Sequence, residues 1–382
     1  MLFRYLSRAT MAKLYYEYIN RMLESNSRKS IYKQLIDLLT LTYRTKYWPH
    51  NYFKYKGYLK EKSISEIEKY LPGRLFDCLR DDLLNDSDYV KLVDNKYLFN
   101  RILWNNNIPA TAVLGRHIKG VGFFDLDNKK VNSKIFKQKV IDDFVIKPVI
   151  GSAQGSGVDV IDFNHSDRHP YSYRGMKLSW DTFVDQLNDP EMADELLFEG
   201  KVIQHKTISD IYAKSINTIR IDSLRLKNGD ILILSASLRV GRNGRLIDNW
   251  SGEQGGIAVG VNIVNGRVNE VGFDYYLKKY QRHPDTNYKF NDFQIPYWDR
   301  LIEIVKKSAS LFPQINSLGW DIAITENGPL IIEVNSDYTI QLCQSCNYPY
   351  LTNKPFIKGL LEYINASNSE HVYAKYFTGK YI

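Results

Sequence analysis

The stretch FVIKPVIGSAQGSGVDVID, residues 144–162, limits the fold more than any other part of the 382-residue chain. It reads as a strand ending in Lys147, a loop of small residues, and at once a second strand. Alternation puts Val145 and Lys147 on one face and Phe144 and Ile146 on the other, so the lysine closes a strand whose far side is core. The loop IGSAQGSG offers backbone amides that can approach phosphate oxygens, with glycines for positive φ. A phosphate-cradling loop normally feeds a helix whose N-terminal amides complete the anion site; this one feeds a strand. Taken alone it is equally a hairpin tip, and its meaning depends on whether a cation site lies elsewhere.

LGWDIAITENGPLIIEVN, residues 318–335, supplies that site. Glu333 and Asn335 are two apart in an apolar strand and share a face. Glu326-Asn327-Gly328 is turn chemistry, and a three-residue loop with glycine in the left-handed region pairs Asp321 directly opposite Glu333. Like charges opposed in a sheet are unfavourable without a cation, and oxygen-only ligands select a hard ion such as Mg²⁺. The alternative places Asp321 in a bulge and pairs Glu333 with an arginine. Carboxylates in apolar strands seldom lack a partner or a role, which favours the metal.

Periodicity changes along the chain. YYEYINRML, IYKQLIDLLTLTY, SISEIEKYL and LFDCLRDDLL carry apolar residues at helical spacing, with Ser63 and Glu66 as a capping box, so residues 1–90 read as a helical domain. NKYLFNRILWNNN is a further helix. Short strands follow: FVIKPVI, GVDVID, KVIQH, TIRIDSLRL, ILILSASLRV, LGWDIAIT and PLIIEVN, interrupted by helices WDTFVDQL and YWDRLIEIVKKSASLF. Long helices among mostly antiparallel strands predict an α+β architecture.

Charge is unevenly placed. Residues 1–60 hold twelve Lys and Arg against Glu17, Glu24 and Asp37, a net +9 in a chain whose total is +8. This basic, Tyr-rich region suits anionic headgroups, a polyphosphate or an acidic partner, or is a solvated helix face. No nucleic-acid-binding motif accompanies it, and no nucleic-acid partner is expected. No apolar run approaches a membrane span, and arginines occupy the place of a signal peptide's apolar stretch, so a cytoplasmic location is expected. Three cysteines suit a reducing compartment. Cys343 and Cys346 form one CxxC without a second, which reads as two structural thiols and not a metal or redox pair.

Lys147 with its glycine loop, KVIQHKTISD as a segment joining two lobes, and GWDIAI…IIEVN, in that order, resemble the ATP-grasp superfamily over about residues 90–350. Within it, PHNYFKYKGYLKE, DNKYLFNRIL…IPA, SINTIRIDSLR and SLRVGRNGRLIDNW…GG are most similar to the sugar-transfer-associated ATP-grasp proteins. The resemblance implies an N-terminal lobe over residues 91–202, a C-terminal lobe over 203–365 and a tail over 366–382, two α+β lobes clasping ATP behind the helical domain. It explains the opening stretch, since the glycine loop of this fold is a hairpin lid over the triphosphate. By resemblance, Lys147 would contact the α and β phosphates, Lys96 would reach the nucleotide, and Ser152, Ala153, Gln154, Gly155, Ser156 and Gly157 would form the lid. Gln204, His205 and Lys206 would form the adenine-binding interlobe strand, with Asp210 toward the ribose. Neither His205 nor His117 is given a role for its imidazole. Arg220 and Arg239 would face the γ-phosphate and the carboxylate being activated, and Asp321, Glu333 and Asn335 would hold one or two Mg²⁺. Gln204 stands where many members have glutamate, and NSDYT replaces a proline-containing turn where the acceptor is chosen.

The implied chemistry is ATP-dependent ligation of a carboxylate to an amine through an acylphosphate, which needs positioning and electrostatics and no protein nucleophile. The resemblance suggests small carboxylate and amine substrates, with a saccharide or lipid-linked saccharide among them, in cell-surface polysaccharide assembly. The basic N-terminal region would then give peripheral contact with the inner membrane face. A kinase acting on a hydroxyl and a non-catalytic nucleotide-binding module are the competing readings.

Overall fold

The computed structural model describes residues 8–151, 157–164, 166–167, 171–173, 175–291, 293–367 and 377, with backbone alone over 8–15. Helical spacing near the N-terminus becomes α1 (Arg8–Glu24), α2 (Ile31–Thr45), α3 (Asn51–Lys54), α4 (Ile64–Ile67) and α5 (Gly73–Leu79), the last running into a π-helical turn over Arg80–Leu84. The capping box fixes the start of α4: the Glu66 amide donates to Ser63 Oγ at 3.2 Å and the Ser63 amide to Glu66 Oε2 at 2.8 Å. Met22, Leu41, Tyr52, Tyr55, Tyr58 and Ile67 form a small core of their own. From Leu71 onward the chain packs elsewhere, since Leu71, Leu75, Phe76, Leu79 and Leu84 share a core with residues 224–364. Helices α6 (Lys91–Asp94) and α7 (Lys96–Asn105) follow, and Val93, Phe99 and Leu103 pack there against residues 208–334.

Two antiparallel sheets come next. The first contains β1 (Val113–Ile118), β2 (Gly122–Phe124), β3 (Lys130–Val131), β4 (Phe144–Pro148), β5 (Asp159–Phe163), β6 (Tyr171–Tyr173), β7 (Met176–Leu178) and β8 (Glu195–Gly200), in the order β3-β2-β1-β8-β4-β5-β6-β7. Helices α8 (Ser133–Lys137) and α9 (Trp180–Leu187) accompany it, and Phe136, Trp180 and Phe183 join the aromatic core formed by Phe123, Phe144, Tyr171 and Phe198. After α10 (Lys206–Ser209), the second sheet contains β9 (Ile219–Arg225), β10 (Ile231–Val240), β11 (Ile257–Val261), β12 (Val268–Phe273), β13 (Lys279–Tyr280), β14 (Ser317–Thr325) and β15 (Gly328–Asn335). Its order is β13-β12-β11-β10-β9-β14-β15. Helix α11 (Trp298–Ser310) contributes Trp298, Leu301, Ile304 and Val305 to the largest core. Helices α12 (Gln341–Cys346) and α13 (Lys354–Ala366) pack with the Leu71–Leu84 segment. Helices among antiparallel sheets make the chain α+β, as the periodicity predicts.

KVIQH is a correction. Residues 201–205 form no strand; the preceding ELLFEG does, as β8. Both neighbours of β8 stop there, with Phe144 of β4 opposite Gly200 and Val113 of β1 opposite Glu199, so the next residues have no ladder to join. Ile203 is 81% exposed, and the segment is tied to β14 by the His205 amide donating to the Ile324 carbonyl at 2.7 Å.

Candidate active site between the two sheets

Asp321 of β14 and Glu333 of β15 are direct cross-strand partners, and Asn335 follows on the same face. The expected turn is corrected in detail. Thr325 pairs with Gly328, leaving a two-residue loop of Glu326 and Asn327, and a register shift between Asp321 and Ile322 then brings Glu333 opposite Asp321. A two-residue loop and a bulge thus restore the pairing that a three-residue turn gives. Gly328, at φ +117, is the first residue of β15 and not part of the loop.

Of the alternative reading only the bulge is borne out, because the arginines pair with Asp321 and not with Glu333. Asp321 does sit at a bulge and does meet arginine: Arg220 Nε of β9 lies 2.8 Å from its Oδ1 and Arg220 Nη2 donates to Oδ2 at 3.0 Å. Arg239 Nη2 of β10 lies 3.2 Å from Oδ1. Strand register explains the convergence, since Arg220 pairs with Asp321 on one side and with Ser237 on the other, two residues from Arg239. Burial alone would raise the Asp321 carboxyl, but the two guanidinium groups hold it below the usual range. Burial raises the Glu333 carboxyl and the adjacent Asp321 charge raises it further, with Lys147 and Lys96 opposing. The pair is therefore asymmetric, Asp321 being the more readily ionised of the two carboxyls and Glu333 the one that resists losing its proton.

Arg239 is itself fixed from behind. Its Nε and Nη2 donate to Thr218 Oγ1 at 2.9 and 2.7 Å, and Thr218 Oγ1 donates to Asp248 Oδ2 at 2.6 Å. Burial works against its charge, and Asp248, Asp321 and Glu333 outweigh it to hold the guanidinium protonated. Gly319, opposite Asn335, leaves room for Arg220: a methyl group there would stand 2.7 Å from Arg220 Nη1 and from Tyr338.

The first sheet brings the lysines. Lys147, near the end of β4, is buried and paired with Glu199 of β8 at 2.7 Å. Thr111 Oγ1 donates to the same carboxylate at 2.7 Å. Lys96 opens α7, where its amide donates to the Val149 carbonyl at 3.0 Å, and Asn95 caps the helix through Leu98 N. Burial lowers the Lys96 ammonium; Glu333, Glu199 and Asp94 oppose that shift, while the Lys147 charge adds to it. Lys96 and Lys147 of one side and Glu333 of the other thus act on one another electrostatically.

The residues fit a hard divalent cation. Two carboxylates and an amide, all oxygen donors, meet on one face, and Asn335 Nδ2 reaches Asp321 Oδ2 and Glu333 Oε1 only at a long 3.4 Å. Asp321 Oδ1 is buried with no aligned hydrogen bond despite its close ion pairs, so acceptor capacity remains. Among the described residues no cluster of three His, Cys, Asp or Glu forms, and the third protein donor is Asn335.

The other expected residues are placed less directly. Ser152, Ala153, Gln154, Gly155 and Ser156 lie outside the described residues. Gly157 has φ +73, and a methyl there would stand 3.0 Å from Pro148 Cγ, so the lid's end is built for glycine. Gln204 is turned inward: its Nε2 donates to the Tyr212 and Ser215 carbonyls at 3.2 and 2.8 Å, and its Oε1 accepts from Asn217 N and Nδ2, both at 3.1 Å. His205 caps α10 through Thr207, and Lys206 Nζ binds both oxygens of Asp210 at 2.7 and 2.9 Å on an exposed surface. Cys343 and Cys346 are buried, free thiols near Ser237 Oγ, and burial raises both.

Sequence reasoning missed Glu199, Asp248 and Thr218. Glu199 carried the same signal as Glu333, a carboxylate in an apolar strand, within the ELLFEG run; LIDNW gave no comparable sign for Asp248.

Residues 81–358 match the family described as sugar-transfer associated ATP-grasp. Among solved structures, the chain is similar to D-alanine–D-alanine ligase from Bacillus anthracis complexed with ATP, at 13% identity over 74% of this chain and 68% of that one, with a TM-score of 0.40. It is similar to a biotin carboxylase–ATP complex from Campylobacter jejuni at 11% identity over 75% and 50%, with a TM-score of 0.44. A third is N5-carboxyaminoimidazole synthetase from Staphylococcus aureus complexed with ADP, at 12% identity over 66% and 47%, with a TM-score of 0.39. The chain spans less than half the length of that synthetase. No curated protein matches it.

Proposed function

The chain belongs to the sugar-transfer associated ATP-grasp family, and from that premise we propose that it is an ATP-dependent ligase joining a carboxylate to an amine. The observation that carries the reading is the meeting of Lys96, Lys147, Arg220 and Arg239 around Asp321, Glu333 and Asn335. Four cations and a carboxylate pair suit a triphosphate beside a second anion. Lys147 and Lys96 lie on the first-sheet side and would take phosphate oxygens, with the lid closing above them. Mg²⁺, when bound, would be held by Asp321, Glu333 and Asn335 and would neutralise phosphate charge. Asn335 would present Oδ1 to it, the reverse of the amide orientation that meets the carboxylates.

Arg220 and Arg239 would orient the substrate carboxylate. One carboxylate oxygen bonds to the γ-phosphorus as the bond to ADP breaks; the amine then attacks the acyl carbon, loses a proton, and phosphate departs with that oxygen. Thr218 and Asp248 keep Arg239 aimed while charge develops. The proposal takes a saccharide or its precursor as one substrate, in keeping with the family's description, and extends to an amino acid as the other and to cell-surface polysaccharide assembly in the cytoplasm.

An oxygen-labelled acid tests this. With MgATP, an amine and an ¹⁸O-carboxylate drawn from a panel of amino and sugar acids, ligation gives ADP, an amide and ¹⁸O in inorganic phosphate. A phosphate ester with no free phosphate would make the protein a kinase.

A further inference from the structure

Helix α2 is built inside out. Its buried positions are Gln34, Asp37, Leu41 and Thr45, three of them polar, and Asp37 is wholly buried against Lys29 Nζ at 2.7 Å. Its outward face carries Ile31, Tyr32, Leu35, Leu39 and Tyr43, each between 54% and 75% exposed. An amphipathic helix docked on its own domain turns its apolar side inward, so this stripe is left for something outside. Ten of the 23 exposed large apolar side chains among the described residues fall between Tyr16 and Trp48.

Charge identifies the occupant. Residues 28–60 contain eight Lys and Arg and a single acid, Asp37, which is the buried one. Lys33 and Arg44 flank the stripe with half-exposed side chains, paired with the buried Asp37 at 3.0 Å and with Glu68 at 3.5 Å, and the exposed Lys46 holds its Nζ over the Tyr43 ring, 4.2 Å from the ring centre. A second copy docked stripe to stripe would bring these cations together with no exposed acid on α2 to meet them. An anionic bilayer accepts both features, with leucine and isoleucine below the headgroups, tyrosine at their level and basic residues at the phosphates.

We propose that α2, with the Lys46–Trp48 segment that follows it, is an interfacial membrane-docking surface selective for anionic lipid. The test is co-sedimentation of the full chain with vesicles of phosphatidylcholine alone or mixed with phosphatidylglycerol, at low and high salt. The wild type should bind the anionic vesicles, bind the neutral ones at least about tenfold less, and release with salt. Leu35→Ser with Leu39→Ser should cut anionic binding by about tenfold or more through lost apolar insertion. Arg44→Gln with Lys46→Gln, which leaves the Lys33–Asp37 pair in place, should do so by about tenfold through lost charge, and both variants should keep the wild-type melting profile and MgATP affinity. Equal binding to neutral vesicles, or none to anionic ones, overturns the proposal. So does a wild-type dimer in light scattering that the leucine variant converts to monomer, which would assign the stripe to a second copy.

Discussion

Across one pair of strands Glu333 is raised and Asp321 lowered, because two arginines meet Asp321 while Glu333 faces its charge. Because the Glu333 carboxyl is raised, Mg²⁺ binding to the pair should favour its ionised form and release protons at acidic pH. Calorimetry in two buffers of different ionisation enthalpy measures this, and Glu333→Gln should abolish the release. Glu199→Ala should destabilise the ligand-free protein by ~3 to 5 kcal/mol in urea titration, because Lys147 would be left buried and unpaired. Gly319→Ala should displace the Arg220 guanidinium and weaken nucleotide or acid binding with a smaller effect on folding. At this scale the sequence was legible where charge interrupts apolar strands, as at Asp321, Glu333 and Lys147. It was silent on Asp248 and Thr218, whose position behind Arg239 is set by loop conformation and not by any period. It was silent too on the Gln204 side chain, whose amide is bonded to the 212–217 turn.

Elements show a similar division. The β14–β15 hairpin was readable as a pairing but not as a path, since a two-residue loop plus a bulge and a three-residue turn bring the same residues opposite one another. KVIQH alternates like a strand, yet strand formation also requires a neighbour, and β1 and β4 have already ended. The periodicity of α2 announced a helix without saying which face would turn outward. Helix α3 carries a less visible constraint. Lys54 Nζ donates to the Tyr275 carbonyl at 2.8 Å and lies 3.7, 4.8 and 5.7 Å from the ring centres of Tyr275, Trp250 and Tyr18, which ties the helical region to the β12–β13 connection. Burial pushes its ammonium down to about 7, with Asp274 partly opposing. The unfolded chain keeps this proton up to about 10.4. Between those values the unfolded state binds more protons, so this group's contribution makes stability rise with pH: its burial cost is full below pH 7 and gone above the unfolded value. Lys54→Met should flatten that slope, so the wild type should gain on the variant between neutral and alkaline urea titrations. An equal slope in both proteins would show that Lys54 stays charged in the fold.

The whole molecule sets two antiparallel sheets with their cationic and acidic residues directed at one another, joined by residues 201–205 that belong to neither. Helix α7 links them, packing with the second sheet's core while Lys96 N holds Val149 beyond β4. The basic N-terminal region stands apart from the candidate site in sequence and in its own tyrosine-rich core, so the proposed docking surface and the proposed chemistry can be tested separately. The account rests on one MgATP site made by both sheets, and titration calorimetry of ATP with and without Mg²⁺ tests it on the wild type, Lys147→Ala and Glu333→Gln. The predicted result is Mg²⁺-strengthened binding in the wild type, a loss of about tenfold or more in Lys147→Ala under both conditions, and loss of the Mg²⁺ effect alone in Glu333→Gln. ATP affinity that is indifferent to Mg²⁺ and to both substitutions would contradict it.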